Sequence, residues 1–464
     1  MRKSAGLSLL LMMGVGCAHS SGKPKDVVST VGAMASQELS LRADKAYDAE
    51  DFATCADLRR RSAEAVTDAD LRSEAYYSAA RCSALGGRPD DALAFLKRAA
   101  DSGFLSVEQL QFDPELASLH SLPGWTEVVS GVQANLDKAG VTPMPLPVLA
   151  TIDVSRTRRA DAASVIQMLG LEVGKPVVGS RYLLKKREAA LRQRFNLAYS
   201  HVGIIAFFAE DLKGQAFASV DLVDAEDSHR LSFLPVPTGH VEDPEGLIAQ
   251  WLEYKDKVVH MLRSGALNSE GPPSCRIAHC IFGFGHPELA PYEPRFVEKA
   301  PAAREALLRL LREDADSTRR AAVPFVLGYA GTPEQVIGWL VPFFKDPDSS
   351  VRNNVVRSVL AFQGGLDRPV VDLSVAFDAM AMPDVSDRNK GTYLLETVLV
   401  KLTPDALKAR RAEVLQKVGT LLVDMSAYQQ PINREPAVKV LRLLSGEDFE
   451  RPEQWKQWLS RQGD

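Results

Sequence analysis

Residues 312–329 read REDADSTRRAAVPFVLGY, and residues 344–362 read FKDPDSSVRNNVVRSVLAF. Each block begins with a polar turn and continues as an apolar segment with helical spacing. An aspartate and an arginine recur six positions apart in both blocks, as Asp314 with Arg320 and Asp346 with Arg352. The blocks start 32 residues apart. Repetition at this period predicts stacked helical units, which bury their apolar faces only against their neighbours.

Two weaker copies continue the pattern towards the C-terminus. Residues 382–400 keep Asp384 and Arg388, whereas residues 429–446 keep Arg434 without the preceding acid. Leucine-rich segments such as REALLRLL and VIGWLVPFF alternate with these blocks, so each unit has two helices.

This pattern, over residues 300–464, resembles HEAT repeats. The resemblance implies that the turn aspartate and the second-helix arginine bridge neighbouring units. It also implies a curved surface for partner proteins, with Arg320 and Arg352 as candidate partner-binding residues.

A second repeat occupies the N-terminal part of the chain, over residues 36–138. Small residues where two helices must approach, a turn near Gly87 and apolar residues every three or four positions predict helical hairpins. The segment resembles tetratricopeptide repeats, although it lacks the family's tryptophan. The matching small positions are Ala80, Gly87, Ala92 and Ala99. The resemblance implies binding of peptides or partner proteins rather than catalysis.

Between the two arrays, residues 148–227 change to a mixed pattern of strands and helices. The strand-like LATIDV precedes two helix-like segments, and SHVGIIAFFAE and QAFASVDLVDAED then predict two further strands. The order β-α-α-β-β resembles polypeptide-transport-associated (POTRA) domains, and a generic small α+β sandwich is the alternative. The resemblance implies that an exposed strand edge near residues 202–208 binds other polypeptides by strand addition, with Val202 and Ile204 as candidate contacts.

The second helix of this segment is strongly basic. Its cations are Arg181, Lys185, Lys186, Arg187, Arg192 and Arg194, and Glu188 is its one acid. The helix could face anionic headgroups or an acidic partner, which makes Arg181, Lys185, Lys186 and Arg192 candidate partner-binding residues. The alternative is an ordinary solvated helix face.

The first residues, MRKSAGLSLLLMMGVGCAHSSGKP, combine two cations with an apolar run and Cys17. This pattern predicts a secretory signal too short to span a bilayer. It resembles a bacterial lipoprotein signal over residues 1–17, with Cys17 as the lipidation site and residues 18–35 as a tether. Gly14 departs from that pattern, and a plain signal peptide cut elsewhere is the alternative. The resemblance implies an extracytoplasmic protein anchored to the membrane by lipid, in the periplasm or at the outer membrane.

Composition limits the remaining possibilities. The chain has 464 residues, 25% of them charged, and a net charge of −5. This length predicts two to four domains, and the charge balance does not favour nucleic-acid binding. Besides Cys17, four cysteines remain, and an oxidising compartment permits two disulfides. Cys55 and Cys82 fall on consecutive predicted helices, where a bridge and two buried small side chains are both compatible with the sequence.

A cluster of cysteines and histidines lies within residues 274–293. This stretch is part of residues 228–299, which we assign to a linker, a long helix and a cap. Its members are Cys275, His279, Cys280 and His286. Packing against the first repeat, a Cys275–Cys280 disulfide and a metal site are three alternatives. On a regular helix Cys280 would lie about 140° from Cys275, which disfavours both the bridge and a shared ligand set. The spacing fits only half of a zinc motif, so the four residues are weak metal ligands.

Motifs for catalysis are missing from the sequence: we find no G-x-S-x-G elbow, H-E-x-x-H, dinucleotide fingerprint or Walker A. We therefore predict a multidomain, mainly α protein that is not an enzyme and needs no cofactor. It would be an envelope lipoprotein that acts as a protein-interaction scaffold, or as an accessory of an outer-membrane assembly or secretion complex. The alternative is a metal-binding or redox protein that uses the cysteine–histidine cluster. We identify no small-molecule substrate.

Overall fold

The computed structural model describes residues 28–141, 145–155, 157–207, 212–263, 267 and 274–462. The chain is mainly helical and contains one small mixed sheet of three strands in this part. The predicted signal, with Cys17, lies outside the described residues. The predicted tether 18–35 overlaps a helix that begins at Val28.

The N-terminal array contains six α-helices, the first four of which pack each against the next. They are α1 (Val28–Asp48), α2 (Phe52–Ala65), α3 (Ala69–Leu85), α4 (Pro89–Asp101), α5 (Val107–Phe112) and α6 (Pro123–Ala139). The small residues of the repeat make the close contacts, since Ala63, Ala80 and Ala92 are fully buried. Gly87 adopts φ 67° in the turn between α3 and α4, a conformation that residues with a side chain disfavour. A disulfide joins Cys55 on α2 to Cys82 on α3.

The central segment has the order β-α-α-β-β that the sequence predicts. Its elements are β1 (Val148–Val154), α7 (Ala162–Leu169), α8 (Arg181–Phe195), β2 (Leu197–Ala206) and β3 (Gln215–Asp224). The strands lie in the order β1-β3-β2, with β1 parallel and β2 antiparallel to β3. One face of the sheet packs against α7 and α8 through residues such as Val165, Leu191 and Val220.

The C-terminal array has helices in two layers. They are α9 (Leu247–Arg263), α10 (Tyr292–Glu313), α11 (Ser317–Leu327), α12 (Pro333–Leu340), α13 (Ser349–Gly364), α14 (Leu373–Ala381), α15 (Val385–Leu399), α16 (Pro404–Ser426), α17 (Pro431–Ser445) and α18 (Pro452–Ser460). Helices α11, α13, α15 and α17 pack side by side as the first layer, and α10, α12, α14 and α16 form the second. The predicted boundary at residue 300 falls inside α10. Helix α9 shares the apolar core of the array, with Trp251 stacked on Phe325 at 4.6 Å between ring centroids.

The segment 274–286 is irregular rather than helical. The regular helix on which the angular argument depends does not form, so that argument against a Cys275–Cys280 bridge does not apply. A disulfide joins these two cysteines, and Cys280 is buried in the core of the C-terminal array.

Candidate protein-interaction surfaces

A ladder of buried ion pairs runs along the C-terminal array. Arg320 on α11 binds Asp346 at 2.9 Å, in the turn before α13. Arg352 on α13 then binds Asp384 at 2.6 Å and Asp387 at 2.9 Å, before and on α15. Because each pair joins consecutive units, the repeated aspartate and arginine form the contacts between repeats. Arg320 and Arg352 are 2% and 1% exposed, so neither presents its charge to a partner.

The third arginine of the repeat, Arg388, binds the sheet instead of the next unit of the array. Arg388 binds Asp221 on β3, and the second oxygen of Asp221 accepts the backbone N–H of Val385 at 2.7 Å. The Tyr199 hydroxyl on β2 donates to Asp384 at 2.6 Å. The Asp384 carboxylate is therefore shared between Arg352 of the preceding unit and Tyr199 of the central domain.

A second contact of the same kind joins β1 and β3 to α17. Asp153 accepts the backbone N–H groups of Gln429 and Gln430, both at 2.9 Å, at the start of that helix. Ser219 on β3 lies 3.2 Å from the side-chain oxygen of Gln430. A carboxylate at a helix N-terminus satisfies free N–H groups and interacts favourably with the helix dipole. The face of the sheet opposite α7 and α8 is thus bound to the starts of α15 and α17.

The linker after the sheet also lies along the ladder. Leu234 N–H donates to the Lys345 carbonyl at 2.7 Å, and Gly239 N–H donates to the Glu313 carbonyl at 3.0 Å. The Phe233 ring lies 4.9 Å from the Arg352 guanidinium. The edge of the array where its turns lie is occupied by this chain's own linker and sheet.

The basic helix α8 faces the N-terminal array. Arg181 lies 3.2 Å from Asp44 and 3.4 Å from Asp48, and Lys185 lies 3.5 Å from Asp48. All of these side chains are well exposed, so the pairs orient the helices but contribute little stability. The two cations nevertheless already have acidic neighbours on α1.

The other two basic candidates of α8 are held within their own domain. Lys186 lies 4.4 Å from the centroid of the Tyr182 ring. Arg192 donates to the Ser200 hydroxyl at 3.1 Å and to the Ser200 carbonyl at 3.4 Å. The candidates Arg181, Lys185, Lys186 and Arg192 therefore do not form one free basic surface.

A buried polar cluster joins α8 to the N-terminal array. Arg81 on α3 lies 2.9 Å from both Asp113 and Glu115, whose side chains are fully buried. Ser180, which caps α8, donates to Glu115 at 2.5 Å, and the Tyr47 hydroxyl donates to the same carboxylate. Burial, with the Glu115 charge, raises the pKa of Tyr47 far above its usual range. The cluster fixes the start of α8, and its two carboxylates are closed to solvent.

Strand β2 is an edge strand, and α8 covers only part of its edge. The Val202 N–H points away from β3 and donates to Glu188 at 2.7 Å, while Arg192 covers the carbonyl of Ser200. The Phe207 N–H points towards β3, where it bonds to Gln215. Since strand residues alternate, Ile204 and Ala206 direct their N–H and C=O groups outwards beyond the covered part. Val202 is itself buried and Ile204 is half-buried.

His201 beside this edge is held as a cation. Burial lowers the pKa of His201, but its hydrogen bond with Glu188 and the charges of Asp384 and Asp221 outweigh burial and raise it to about 9. The Nδ1 atom lies 3.2 Å from a Glu188 oxygen. His201 therefore helps to hold Glu188 over the edge at neutral pH.

The cysteines and histidines of the 274–286 segment do not converge on a metal. Both sulfurs are bonded to each other, which removes the thiolate ligands, and His286 accepts the backbone N–H of Glu288 at 3.2 Å. His279 is 9% exposed and lies 5.6 Å from the Phe325 ring. No group of three or more His, Cys, Asp or Glu side chains in the described part of the chain could hold a metal ion.

Sequence reasoning missed the contacts made by Asp153, Tyr199, Ser219 and Asp221. The alternation in β3 offered a signal, because Ser219 and Asp221 share one face in the middle of a largely apolar strand. Polar side chains on such a face need partners when they are buried.

Comparisons of the chain with protein families, curated proteins and solved structures find no match. No helix among those described in the structure is long and apolar enough to cross a membrane.

Proposed function

We propose that this protein is a non-enzymatic lipoprotein of the cell envelope that acts as a protein-interaction scaffold. Its helical arrays and central sheet would correspond to tetratricopeptide-like, POTRA-like and HEAT-like modules. The partner would be a polypeptide of the envelope, such as a component or client of an outer-membrane assembly or secretion complex. The lipid on Cys17 would hold the scaffold at the membrane.

The open part of the β2 edge is the observation that carries this proposal. Polar backbone groups of Ile204 and Ala206 face outwards, with Phe207 following, and an unpaired strand edge is a template for pairing with another chain. Glu188 and Arg192 cover the preceding residues, so they limit the length of strand that can be added. The ladder surface, by contrast, is already occupied by the linker and sheet.

The proposed docking edge can be tested by removing one hydrogen-bond donor. In Ile204→Pro the outward N–H is lost, whereas the inward bonds to β3, made by the odd-numbered residues, remain. Ile204→Ala is the matched control, because it truncates the same side chain but keeps the N–H. A photo-crosslinker placed at Ala206 in living cells, followed by mass spectrometry, reports the partner.

We expect a reproducible envelope partner with the parent chain and with Ile204→Ala, and at least a tenfold loss of crosslinking with Ile204→Pro. Equal crosslinking of the two variants would remove β2 as the docking element. Failure to recover any envelope polypeptide would overturn the scaffold proposal.

The metal-binding alternative has less support, because the two cysteines are bonded to each other and His286 accepts the Glu288 N–H. Metal analysis of the purified protein tests it directly. Stoichiometric zinc that survives extensive dialysis would favour this alternative.

A further inference from the structure

The covered part of the β2 edge is held by two side chains of opposite charge from α8. Glu188 accepts the Val202 N–H at 2.7 Å. Arg192 donates to the Ser200 carbonyl at 3.4 Å and to the Ser200 hydroxyl at 3.1 Å. An added strand would bond to the same two backbone groups, because the even-numbered residues of β2 direct their N–H and C=O groups outwards. The two side chains therefore occupy the place of a neighbouring strand.

Glu188 also balances a cation at this edge. Its carboxylate lies 3.2 Å from the His201 Nδ1 atom, and the His201 side chain is 36% exposed, so an incoming chain can reach it. Burial lowers the pKa of this ring, but Glu188, Asp384 and Asp221 raise it to about 9, so the ring is charged at neutral pH. Asp384 and Asp221 are each bound to an arginine of the C-terminal array. The carboxylate that pairs directly with His201 is thus the one that a docking strand must displace.

Displacing Glu188 changes the charge beside the edge. Helix α8 has six cations, and Glu188 is its single acid. Among the residues described, no carboxylate lies within ion-pairing distance of Arg192, whose contacts with Ser200 are with neutral oxygens. When a strand takes the place of the two covering side chains, His201 and Arg192 remain beside it as two cations. The edge then favours a strand that brings its own negative charge.

The alternation of the sheet places that charge. His201 is odd-numbered and directs its backbone groups towards β3, so its pair with an added antiparallel strand is of the kind without hydrogen bonds, in which the side chains are closest. Directly opposite side chains share one face, with Cβ atoms about 4.5–5.5 Å apart, and opposite charges at this distance stabilise the pair. An acid opposite His201 would replace the Glu188 charge, while a carbonyl of the strand replaces its bond to Val202.

We infer that the polypeptide that docks on the β2 edge carries an aspartate or glutamate, which displaces Glu188 and binds between His201 and Arg192. The paired part of β2 then extends from residues 204–206 to residues 200–206. A strand without this acid pairs only with the open part. The inference rests on the proposed docking edge and adds the chemistry of its partner.

The photo-crosslinker at Ala206 is the probe, and mass spectrometry of the crosslinked peptide identifies the partner residue beside it. His201 lies five positions from Ala206 along β2. Paired strands advance at nearly the same rise per residue, so we expect an aspartate or glutamate of the partner about five positions from the crosslinked residue.

Arg192→Gln distinguishes recognition of an acid from simple covering of the edge. If Arg192 only covers the Ser200 carbonyl, its loss opens the edge and raises crosslinking at Ala206. If Arg192 binds the acid of the partner, its loss lowers crosslinking, and we expect a decrease of about fivefold. Arg194→Gln is the matched control at an exposed arginine of the same helix and should crosslink as the parent does. Glu188→Gln removes the competing charge and should raise crosslinking.

Replacing the acid of the partner by its amide leaves this chain unchanged, so it remains informative if Arg192→Gln does not fold. We expect the same decrease of about fivefold. A partner that depends on the Ile204 N–H but has no acid at this spacing, or crosslinks equally as its amide variant, overturns the inference and leaves the docking edge in place. Equal crosslinking of Arg192→Gln and Arg194→Gln also overturns it. Recovery of no partner at all overturns both the inference and the docking edge.

Discussion

The ion pair between Arg388 and Asp221 connects the sheet to the C-terminal array, and Asp221→Ala would break it. Both side chains are buried, with 3% and 1% of their surface exposed. The variant leaves the Arg388 charge in a dry environment. It also removes the acceptor of the Val385 N–H at the start of α15.

The expected loss follows from these two effects. Removing one partner of a buried ion pair costs roughly 3–5 kcal/mol, because the other charge stays buried. An unsatisfied backbone N–H adds about 1 kcal/mol. We therefore expect the free energy of unfolding to fall by about 4–6 kcal/mol, which is a large part of the stability of an ordinary domain.

Urea unfolding with purified protein measures this loss, and the double variant Asp221→Ala/Arg388→Met tests its cause. Methionine leaves no charge behind, so the double variant should regain much of the stability lost by the single one. Asp227→Ala is the control for a lost aspartate. It removes the exposed ion pair with Arg158, and we expect no measurable change in stability.

Two results would refute this reasoning. One is a loss below about 1 kcal/mol for Asp221→Ala, because it would mean that Arg388 reaches water at little cost. The other is a double variant whose loss equals the sum of the two single losses, since the side chains would then act independently.

Three further predictions concern the protonation, cross-linking and packing of single sites. The free energy of unfolding should decline as pH rises from 6.5 to about 9, because the interactions that raise the pKa of His201 stabilise the fold only while the ring is charged. His201→Gln should flatten this part of the pH profile. Replacing Cys55 and Cys82 by serine opens a loop of 27 residues and should cost about 3.5 kcal/mol in urea unfolding; an unchanged midpoint would contradict it. Gly391→Ala should lower the melting temperature, since its Cβ would lie 2.8 Å from the Met380 backbone nitrogen, whereas Gly338→Ala meets nothing within 4 Å and should raise it.

Local periodicity predicted the elements that repeat. The resemblance of the Asp346 and Arg352 pattern to HEAT repeats implies contacts between consecutive units, and Arg320 binds Asp346 one unit further on. The same pattern at Arg388 predicts a partner in the next unit, yet its partner is Asp221, which lies 167 residues earlier. A repeat describes neighbours along the array, so it carries no information about a strand inserted from another domain.

The candidate site residues could be predicted only where their partners are close in sequence. Arg181 and Lys185 form a basic face on α8 when it is considered alone, but Asp48 on α1 lies beside them in the fold. The angle of about 140° between Cys275 and Cys280 holds only on a regular helix, and the observed irregular chain brings the two cysteines together instead. Both differences arise from tertiary contacts that alternation and spacing do not encode.

The anchoring of one sheet to two different helix starts fixes the number of units between them. Asp221 binds at the start of α15, and Asp153 binds at the start of α17, one unit further along the array. Repeat arrays commonly change length by gaining or losing whole units, because each unit contacts only its neighbours. Here an added unit of about 32 residues between α15 and α17 would separate two sites that β1 and β3 hold at a constant distance. The sheet therefore fixes the spacing between the two units that contain α15 and α17.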